Sequence, residues 1–207
     1  MVARRTLIKA LPLSVLVGWS TTSPADALNF KDVPKTHAFY NEITWAVDYG
    51  YISGGEEGLF HPDGSIDRKE IATTFYNYWG RPEYTPPNIP YFQDVPKDHP
   101  QYKEISWCVK QQLVKGWNDQ TFRPDYPVTR DAAAAFLYRL SGSPHYTAPA
   151  ITRFHDVHEN HVFYKEISWL SDMKITNGYP DGTFLPQKPI ERFAICAFLY
   201  RTSQIFG

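Results

Sequence analysis

A repeat of 62 residues is the feature that most constrains how this chain can fold. The segments FYNEITWA at 39–46, QYKEISWC at 101–108 and FYKEISWL at 163–170 start 62 residues apart, and many further positions recur in the same register. A unit that recurs at a fixed interval folds as copies of one supersecondary motif, and each copy packs on its neighbours. We therefore predict three equivalent units, numbered repeats 1 to 3 in chain order.

The N-terminal segment predicts export. Basic residues at positions 4, 5 and 9 precede an apolar run at 10–19, and small residues at 25–27 offer a cleavage site. This is the pattern of a secretory signal, and its apolar run is too short to span a bilayer. We predict that residues 1–27 are removed and that the secreted chain has no membrane span. RRTLIK fits both a twin-arginine signal and an ordinary basic n-region, so both export routes stay open.

Charge narrows the choice of partners. Without residues 1–27 the chain has 18 Lys and Arg residues against 21 Asp and Glu residues. This net negative charge argues against nucleic acid and against an anionic membrane surface as partners. The two cysteines, Cys108 and Cys196, can pair in an oxidising compartment or serve as small core residues, since their counterparts in the other repeats are Ala or Leu.

Two proline-rich segments of equal length separate the repeats. The segments are RPEYTPPNIPY at 81–91 and SPHYTAPAITR at 143–153. Proline has no backbone N–H to donate within a helix, so we predict that both segments are linkers. The repeats then span 28–80, 92–142 and 154–207. Equal linkers place each repeat in the same relation to the next, which favours a closed body with pseudo-threefold symmetry.

Each repeat reads as a helix, a long loop and a second helix. Tyr40, Ile43 and Val47 share one face at 100° per residue, and the second helix is predicted to begin near Asp67, which has capping-box spacing to Glu70. The loops GWNDQTFRP and GYPDGTFLP have turn chemistry ahead of a buried-type phenylalanine. They lack the alternating oxygen ligands of a calcium loop, so we predict no metal and no cofactor.

These motifs resemble the S-layer homology domain. FQDVPKDH, GWNDQTFRPDYPVTRDAAAAFLYR, FHDVH and GYPDGTFLPQKPIERF follow the order F-x-D-V, H-x-x-Y-x-x-I, G-x-x-D-G-T-F-x-P and V-T-R, and the resemblance covers all three repeats. It implies a mainly α fold, with three tandem repeats in a pseudo-trimer around a central helical bundle. It also implies binding of cell-wall polysaccharides, often pyruvylated, in grooves between repeats.

Two departures from the family pattern indicate a subgroup, of actinobacterial type, whose glycan differs. The aromatic residue that commonly follows the histidine of the first motif is replaced by Ala38, Pro100 and Val162. Glutamates stand where many members have a small residue, at Glu42, Glu104 and Glu166.

The recurring arginines are the main candidates for polysaccharide binding. They fall at the start of the second helix, where the helix dipole and unpaired N–H groups favour an anion, and a guanidinium can hold a carboxylate bidentately. The alternative is an internal ion pair with the aspartate of F-x-D-V, and the two roles can coexist. The residues are Arg68, Arg130 and Arg192, with Asp32, Asp94 and Asp156.

Two sets of aromatic residues are the next candidates. Trp45, Trp107 and Trp169 lie opposite the apolar face of the first helix; they either pack on a neighbouring repeat, which we favour, or line a groove and stack on a sugar. Trp117 and Tyr179 are candidate sugar platforms, because the glycine before each lets a ligand approach the backbone. The recurring glycines are Gly54, Gly116 and Gly178, and repeat 1 has Gly55 in place of the aromatic residue.

The pattern argues against an enzyme. A glycosidase needs one specialised pair of carboxylates, whereas each acidic motif residue here has two equivalents, and no nucleophile motif is present. We expect a noncatalytic cell-surface protein that binds a secondary wall polymer attached to peptidoglycan. Changing the three arginines should then abolish binding with little loss of fold. The alternative is protein binding or self-assembly without glycan specificity, favoured by an aromatic content of 16%.

Overall fold

The computed structural model describes residues 30–206, so the predicted signal at 1–27 lies outside the described residues. That part of the chain contains six α-helices, and the mainly α prediction is confirmed. None of them combines the length and apolar character needed to cross a bilayer. The helices are α1 (Tyr40–Asp48), α2 (Arg68–Tyr78), α3 (Tyr102–Lys110), α4 (Arg130–Leu140), α5 (Tyr164–Asp172) and α6 (Arg192–Phe206).

The second helix of each repeat begins at its arginine, one residue after the predicted cap. Asp67 caps α2, since its carboxylate accepts a hydrogen bond from the N–H of Glu70 at 2.8 Å. The Glu70 side chain points elsewhere, so only half of the expected capping box forms. Thr129 precedes α4 but makes no capping bond, because its hydroxyl donates to Asp131 instead.

Each first helix packs against the second helix of the preceding repeat: α3 against α2, α5 against α4, and α1 against α6. The recurring tryptophans form the contact, and Trp107 and Trp169 are almost fully buried there. Their faces are therefore used for packing between repeats, and Trp45 makes the same contact while partly exposed. The edge-to-face pairs are Trp107 with Tyr76 (5.4 Å between ring centroids), Trp169 with Tyr138 (5.2 Å) and Trp45 with Tyr200 (5.3 Å).

A closed ring of three backbone hydrogen bonds joins the repeats just before their second helices. Ile66 N–H donates to Ile190 O (3.1 Å), Ile190 N–H to Val128 O (2.8 Å), and Val128 N–H to Ile66 O (3.0 Å). One residue comes from each repeat, and all three are buried. The contacts between repeats are therefore cyclic. The threefold axis and central bundle stay predictions, which this ring supports.

Tyrosine hydroxyls hold both linkers. Tyr76 donates to the carbonyl of Pro82 at 2.6 Å, and Tyr102 donates to Pro87 at 2.7 Å. Tyr138 and Tyr164 make the equivalent bonds to the second linker. Each linker is therefore held at its second and seventh residues by the helices that it connects, whereas the exact linker bounds stay predictions.

Both cysteines are buried free thiols. Cys108 approaches the carbonyl of Ala72 through its sulfur at 3.4 Å. Burial raises the pKa of both thiols, that of Cys196 to about 12. They fill small core positions, which is the alternative that their counterparts in the other repeats favoured.

Candidate functional site

Each recurring arginine lies at the boundary between two repeats and is almost fully buried there. It donates from Nε to the carbonyl of the loop phenylalanine in the next repeat, and repeat 3 reaches repeat 1 in the same way. The guanidinium also lies over the ring of that phenylalanine, at 4.4 to 4.8 Å from Cζ to the ring centroid. The bonds are Arg68 to Phe122 (2.7 Å), Arg130 to Phe184 (2.7 Å) and Arg192 to Phe60 (2.9 Å).

The recurring aspartates position those phenylalanines. Asp32 accepts the N–H groups of Phe60 and His61 at 2.9 and 2.7 Å, and Asp94 and Asp156 make the same pair of bonds in repeats 2 and 3. Burial raises the pKa of Asp32, but the two N–H bonds outweigh it and the pKa is lowered. Among residues 30–206 no Asp of this motif forms an ion pair with the arginine. The aspartate instead fixes the peptide whose carbonyl holds the arginine.

The helix N-termini offer no free donors, which corrects the expectation that their N–H groups favour an anion. In α2 the N–H groups of Arg68 and Lys69 donate to the carbonyls of Tyr126 and Pro124 at 3.0 and 2.9 Å. The next two N–H groups along the helix, those of Glu70 and Ile71, donate to Asp67. The corresponding groups of α4 and α6 are taken up in the same way. Any anion bound at these boundaries must therefore rely on the guanidinium groups.

The recurring glycines serve packing rather than ligand approach. A Cβ atom added to Gly54, Gly116 or Gly178 would lie 2.2 to 2.4 Å from a ring carbon of the phenylalanine of F-x-D-V. Gly178 also has a φ of +70°, which favours glycine on its own. The space beside each glycine is therefore filled by the chain's own aromatic ring.

Trp117 and Tyr179 stack on the arginines. The Cζ atom of Arg68 lies 4.2 Å from the ring centroid of Trp117, and that of Arg123 lies 4.6 Å from it. Arg130 lies 4.8 Å from the ring centroid of Tyr179, whose hydroxyl accepts a hydrogen bond from Lys188 at 3.0 Å. Trp117 keeps 39% of its surface exposed. Both rings orient a guanidinium, and part of the Trp117 ring still faces solvent.

The three arginines differ in their acidic partners, a feature that the sequence analysis missed. Arg192 forms an ion pair with Glu70, and Arg130 Nη1 lies 4.0 Å from Glu191. Burial lowers the pKa of all three arginines, that of Arg68 to about 10. The sequence contains one sign of this difference between the arginines, because Glu70 of repeat 1 stands where repeats 2 and 3 have alanine.

Two cavities contain residues from adjacent repeats. One of about 260 Å³ is lined by Ser53, Glu70 and Asn77 of repeat 1 and by Gln101 of repeat 2. Another of about 320 Å³ lies among residues that include Trp79 of repeat 1 and Lys115 and Arg139 of repeat 2. Within residues 30–206 no group of three or more His, Cys, Asp or Glu side chains is arranged to hold a metal ion.

Three helix–loop–helix units joined through buried arginines define a tandem-repeat protein with cyclic contacts between its repeats. The chain belongs to the S-layer homology domain family, whose model matches residues 29–72, 91–134 and 153–194. Each match begins at or next to the phenylalanine of F-x-D-V and runs into the second helix.

Relatives of this chain are named as cell-surface, anchoring and S-layer proteins. The chain is 31% identical over 161 residues to Cell surface glycoprotein 1 of Acetivibrio thermocellus, covering 73% of this chain and 7% of that protein. It is 31% identical over 157 residues to the Cellulosome-anchoring protein of the same organism, covering 73% and 35%. It is 26% identical over 209 residues to S-layer protein EA1 of Bacillus anthracis, covering 99% and 23%. The chain thus spans about a third or less of the length of these relatives.

Proposed function

We propose that this chain is a noncatalytic protein of the cell surface that binds a wall polysaccharide noncovalently at the boundaries between its repeats. The observation that carries the proposal is the buried arginine at each boundary, held beneath an aromatic ring or beside a carboxylate. Family membership and relatives named as surface-layer and anchoring proteins support it. The partner is a secondary polymer attached to peptidoglycan that carries acidic groups, such as the carboxylate of a pyruvyl ketal.

The chemistry of recognition follows from how the arginines are held. Nε and Nη2 of Arg68 are committed to the carbonyls of Phe122 and Lys115, both at 2.7 Å, and Nη1 has no protein partner among residues 30–206. A hydrogen bond from this nitrogen to a carboxylate contributes about 1.5–3 kcal/mol. The exposed part of Trp117 adds an apolar surface for the C–H groups of a sugar ring.

The same arrangement argues against catalysis. The motif aspartates each accept two backbone N–H groups, so none of them stands free as a general acid or nucleophile. A glycosidase requires two carboxyl groups that flank one bond at about 5 to 10 Å, with distinct environments. Repeated carboxylates with an identical structural task do not meet this requirement.

The test is retention of the purified chain by peptidoglycan sacculi that carry, or have been stripped of, their secondary polymers. Sacculi from several bacteria should be compared, with polymers that bear or lack pyruvyl groups. We expect retention only where an acidic polymer is present. Equal retention by stripped sacculi, or retention by none, would overturn the proposal.

The structure also changes the choice of variants for that test. Each arginine joins two repeats, so its replacement by alanine should weaken the fold, contrary to the expectation from sequence. Trp117→Gly is a better variant because the side chain is partly exposed and repeat 1 has Gly55 at the same position. We expect this variant to fold normally and to be retained more weakly.

Protein binding or self-assembly is the second candidate function. Ile89 and Ile151 occupy equivalent positions in the two linkers and are 82% and 85% exposed. Apolar side chains that recur on the surface suit a protein partner. This function predicts assembly that depends on protein concentration and needs no sacculi, which sedimentation of the purified chain would measure.

A further inference from the structure

The electrostatic environment of the recurring arginine differs at each boundary between repeats. Arg192 donates to Phe60 and Ser53 and pairs with Glu70, so all its nitrogens have partners. Arg130 Nη1 lies 4.0 Å from Glu191, which also forms an ion pair with Lys188. Arg68 has no carboxylate within 4.0 Å among the described residues. It is the one arginine of the three, within residues 30–206, without an acidic partner at that distance.

Single substitutions between the repeats explain the difference. Because the contacts are cyclic, the residue that faces Arg68 in the way that Glu70 faces Arg192 is Ala132. The residue that corresponds to Glu191 at the same boundary is Thr129. Neither carries a charge. Arg192 and Arg130 thus each have a glutamate beside them, whereas the equivalent positions beside Arg68 hold neutral residues.

Charges of both signs lie near Arg68, but the carboxylates among them are bound to other groups. Arg68 is 6% exposed, and its Nη1 has no hydrogen-bond partner among residues 30–206. A second guanidinium, that of Arg123, also contacts the Trp117 ring, with its Cζ atom 4.6 Å from the ring centroid. Asp94, whose charge acts on Arg68, accepts two backbone N–H groups, and Asp119 pairs with Arg123 at 3.0 Å. A buried cation without a paired anion is costly in the absence of a ligand and favours an anionic one.

We propose that the boundary of repeats 1 and 2, at Arg68, is the anion-binding site of this chain. At the other two boundaries a resident carboxylate already offsets the charge of the arginine: Glu70 pairs with Arg192, and Glu191 lies 4.0 Å from Arg130. The inference rests on the proposed function and deepens it, because it assigns the acidic sugar to one boundary. The ligand class is a sugar that bears a carboxylate or a phosphate. At Arg192 such a sugar would have to displace Glu70 and leave that carboxylate without its cation.

The test exchanges residues between equivalent positions of the chain's own repeats. Ala132→Glu places the repeat 1 residue opposite Arg68, and Ala132→Gln supplies the same size without charge. Ala132 is partly exposed and repeat 1 carries Glu at this position, so we expect both variants to fold, which tryptophan fluorescence would verify. Thr129→Glu places a carboxylate near Arg68 at the position that corresponds to Glu191. It is the alternative variant if Ala132→Glu does not fold.

Retention by polymer-bearing sacculi is the first readout. We expect about a tenfold or greater loss of affinity for Ala132→Glu and for Thr129→Glu, in line with loss of one charged hydrogen bond. Ala132→Gln should stay within about threefold of the unmodified chain. Glu70→Ala should preserve this binding and add a weaker second class of sites. Retention of Ala132→Glu equal to that of Ala132→Gln would overturn the inference and leave the proposed function standing, whereas no retention of the unmodified chain overturns both.

Titration calorimetry with defined probes identifies the anion. The probes are a methyl hexoside with a pyruvyl ketal, its methyl ester, and a methyl hexoside phosphate. We expect one site per chain for at least one acidic probe and at least tenfold weaker binding of the ester. Binding of ester and acid with equal affinity, or three equal sites per chain, would contradict the assignment to Arg68.

Discussion

Replacing Asp32 with asparagine should destabilise the chain, because this carboxylate holds the loop that receives Arg192 from repeat 3. Asp32 accepts the N–H groups of Phe60 and His61, and the carbonyl of Phe60 accepts Nε of Arg192 at 2.9 Å. A hydrogen bond to a charged acceptor contributes about 1.5–3 kcal/mol and a neutral one about 0.5–1.5 kcal/mol. Asparagine keeps one acceptor and turns an N–H donor toward the second N–H.

The expected loss in the free energy of unfolding is therefore about 2–4 kcal/mol. With a urea dependence of about 2 kcal/mol per molar, the midpoint of unfolding should fall by about 1–2 M. The assay is urea unfolding followed by tryptophan fluorescence at pH 7. Asp63→Asn is the matched control, since Asp63 is exposed in the same loop, and we expect it to shift the midpoint little.

The pH dependence supplies a second check. Because the pKa of Asp32 is lowered in the folded chain, its stabilisation is complete above the unfolded pKa of about 4 and is lost as the pH falls through the folded pKa. The deficit of Asp32→Asn should thus be largest above pH 5 and shrink below pH 4. If Asp32→Asn lowers the free energy of unfolding by less than about 0.5 kcal/mol at pH 7, as a neutral surface substitution does, Asp32 does not hold the loop in the way that we describe.

Three further predictions concern packing and the linkers. Cys108 and Cys196 should resist thiol reagents at pH 8 in the folded chain and react fully in denaturant, because burial raises both pKa values; rapid labelling of the native chain would contradict their placement. Trp107→Ala should cost about 3–5 kcal/mol in urea unfolding, since the ring is 3% exposed between repeats, and a cost near zero would show that it does not join them. Tyr76→Phe should cost about 1 kcal/mol and speed proteolysis within 81–91, because the hydroxyl holds the linker; unchanged cleavage would argue against that tether.

Local pattern was sufficient for much of the fold. The helix period around Ile43 and the cap at Asp67 predicted where the first and second helices lie, because these signals act within a few residues of the chain. The tryptophan face opposite Ile43 favoured a second packing surface over a sugar-binding groove, and the structure shows the packing. These features are repeated three times, so each copy reinforced the interpretation of the others.

The candidate site was predicted only in part. The recurring arginines were recognised, but their bonds to carbonyls of the next repeat were not, since those carbonyls belong to residues 54 positions away along the chain or, at the ring closure, 132. The first two N–H groups of α2 were expected to be unpaired, because no residue close by in the sequence accepts them. Only the approach of the neighbouring loop, through Tyr126 and Pro124, supplies their acceptors.

The sequence by itself determined the period, the helices and the identity of the repeated side chains, because helix propensity, capping and apolar spacing are local properties. Equal linkers favoured a closed body, but only the tertiary structure shows which groups form the ring of contacts and which arginine is left without an acid. Glu70 and Arg192 are 122 residues apart, and neither the period nor the helix pattern relates them. Their pairing depends on closure of repeat 3 on repeat 1, because an ion pair forms between groups that folding brings together.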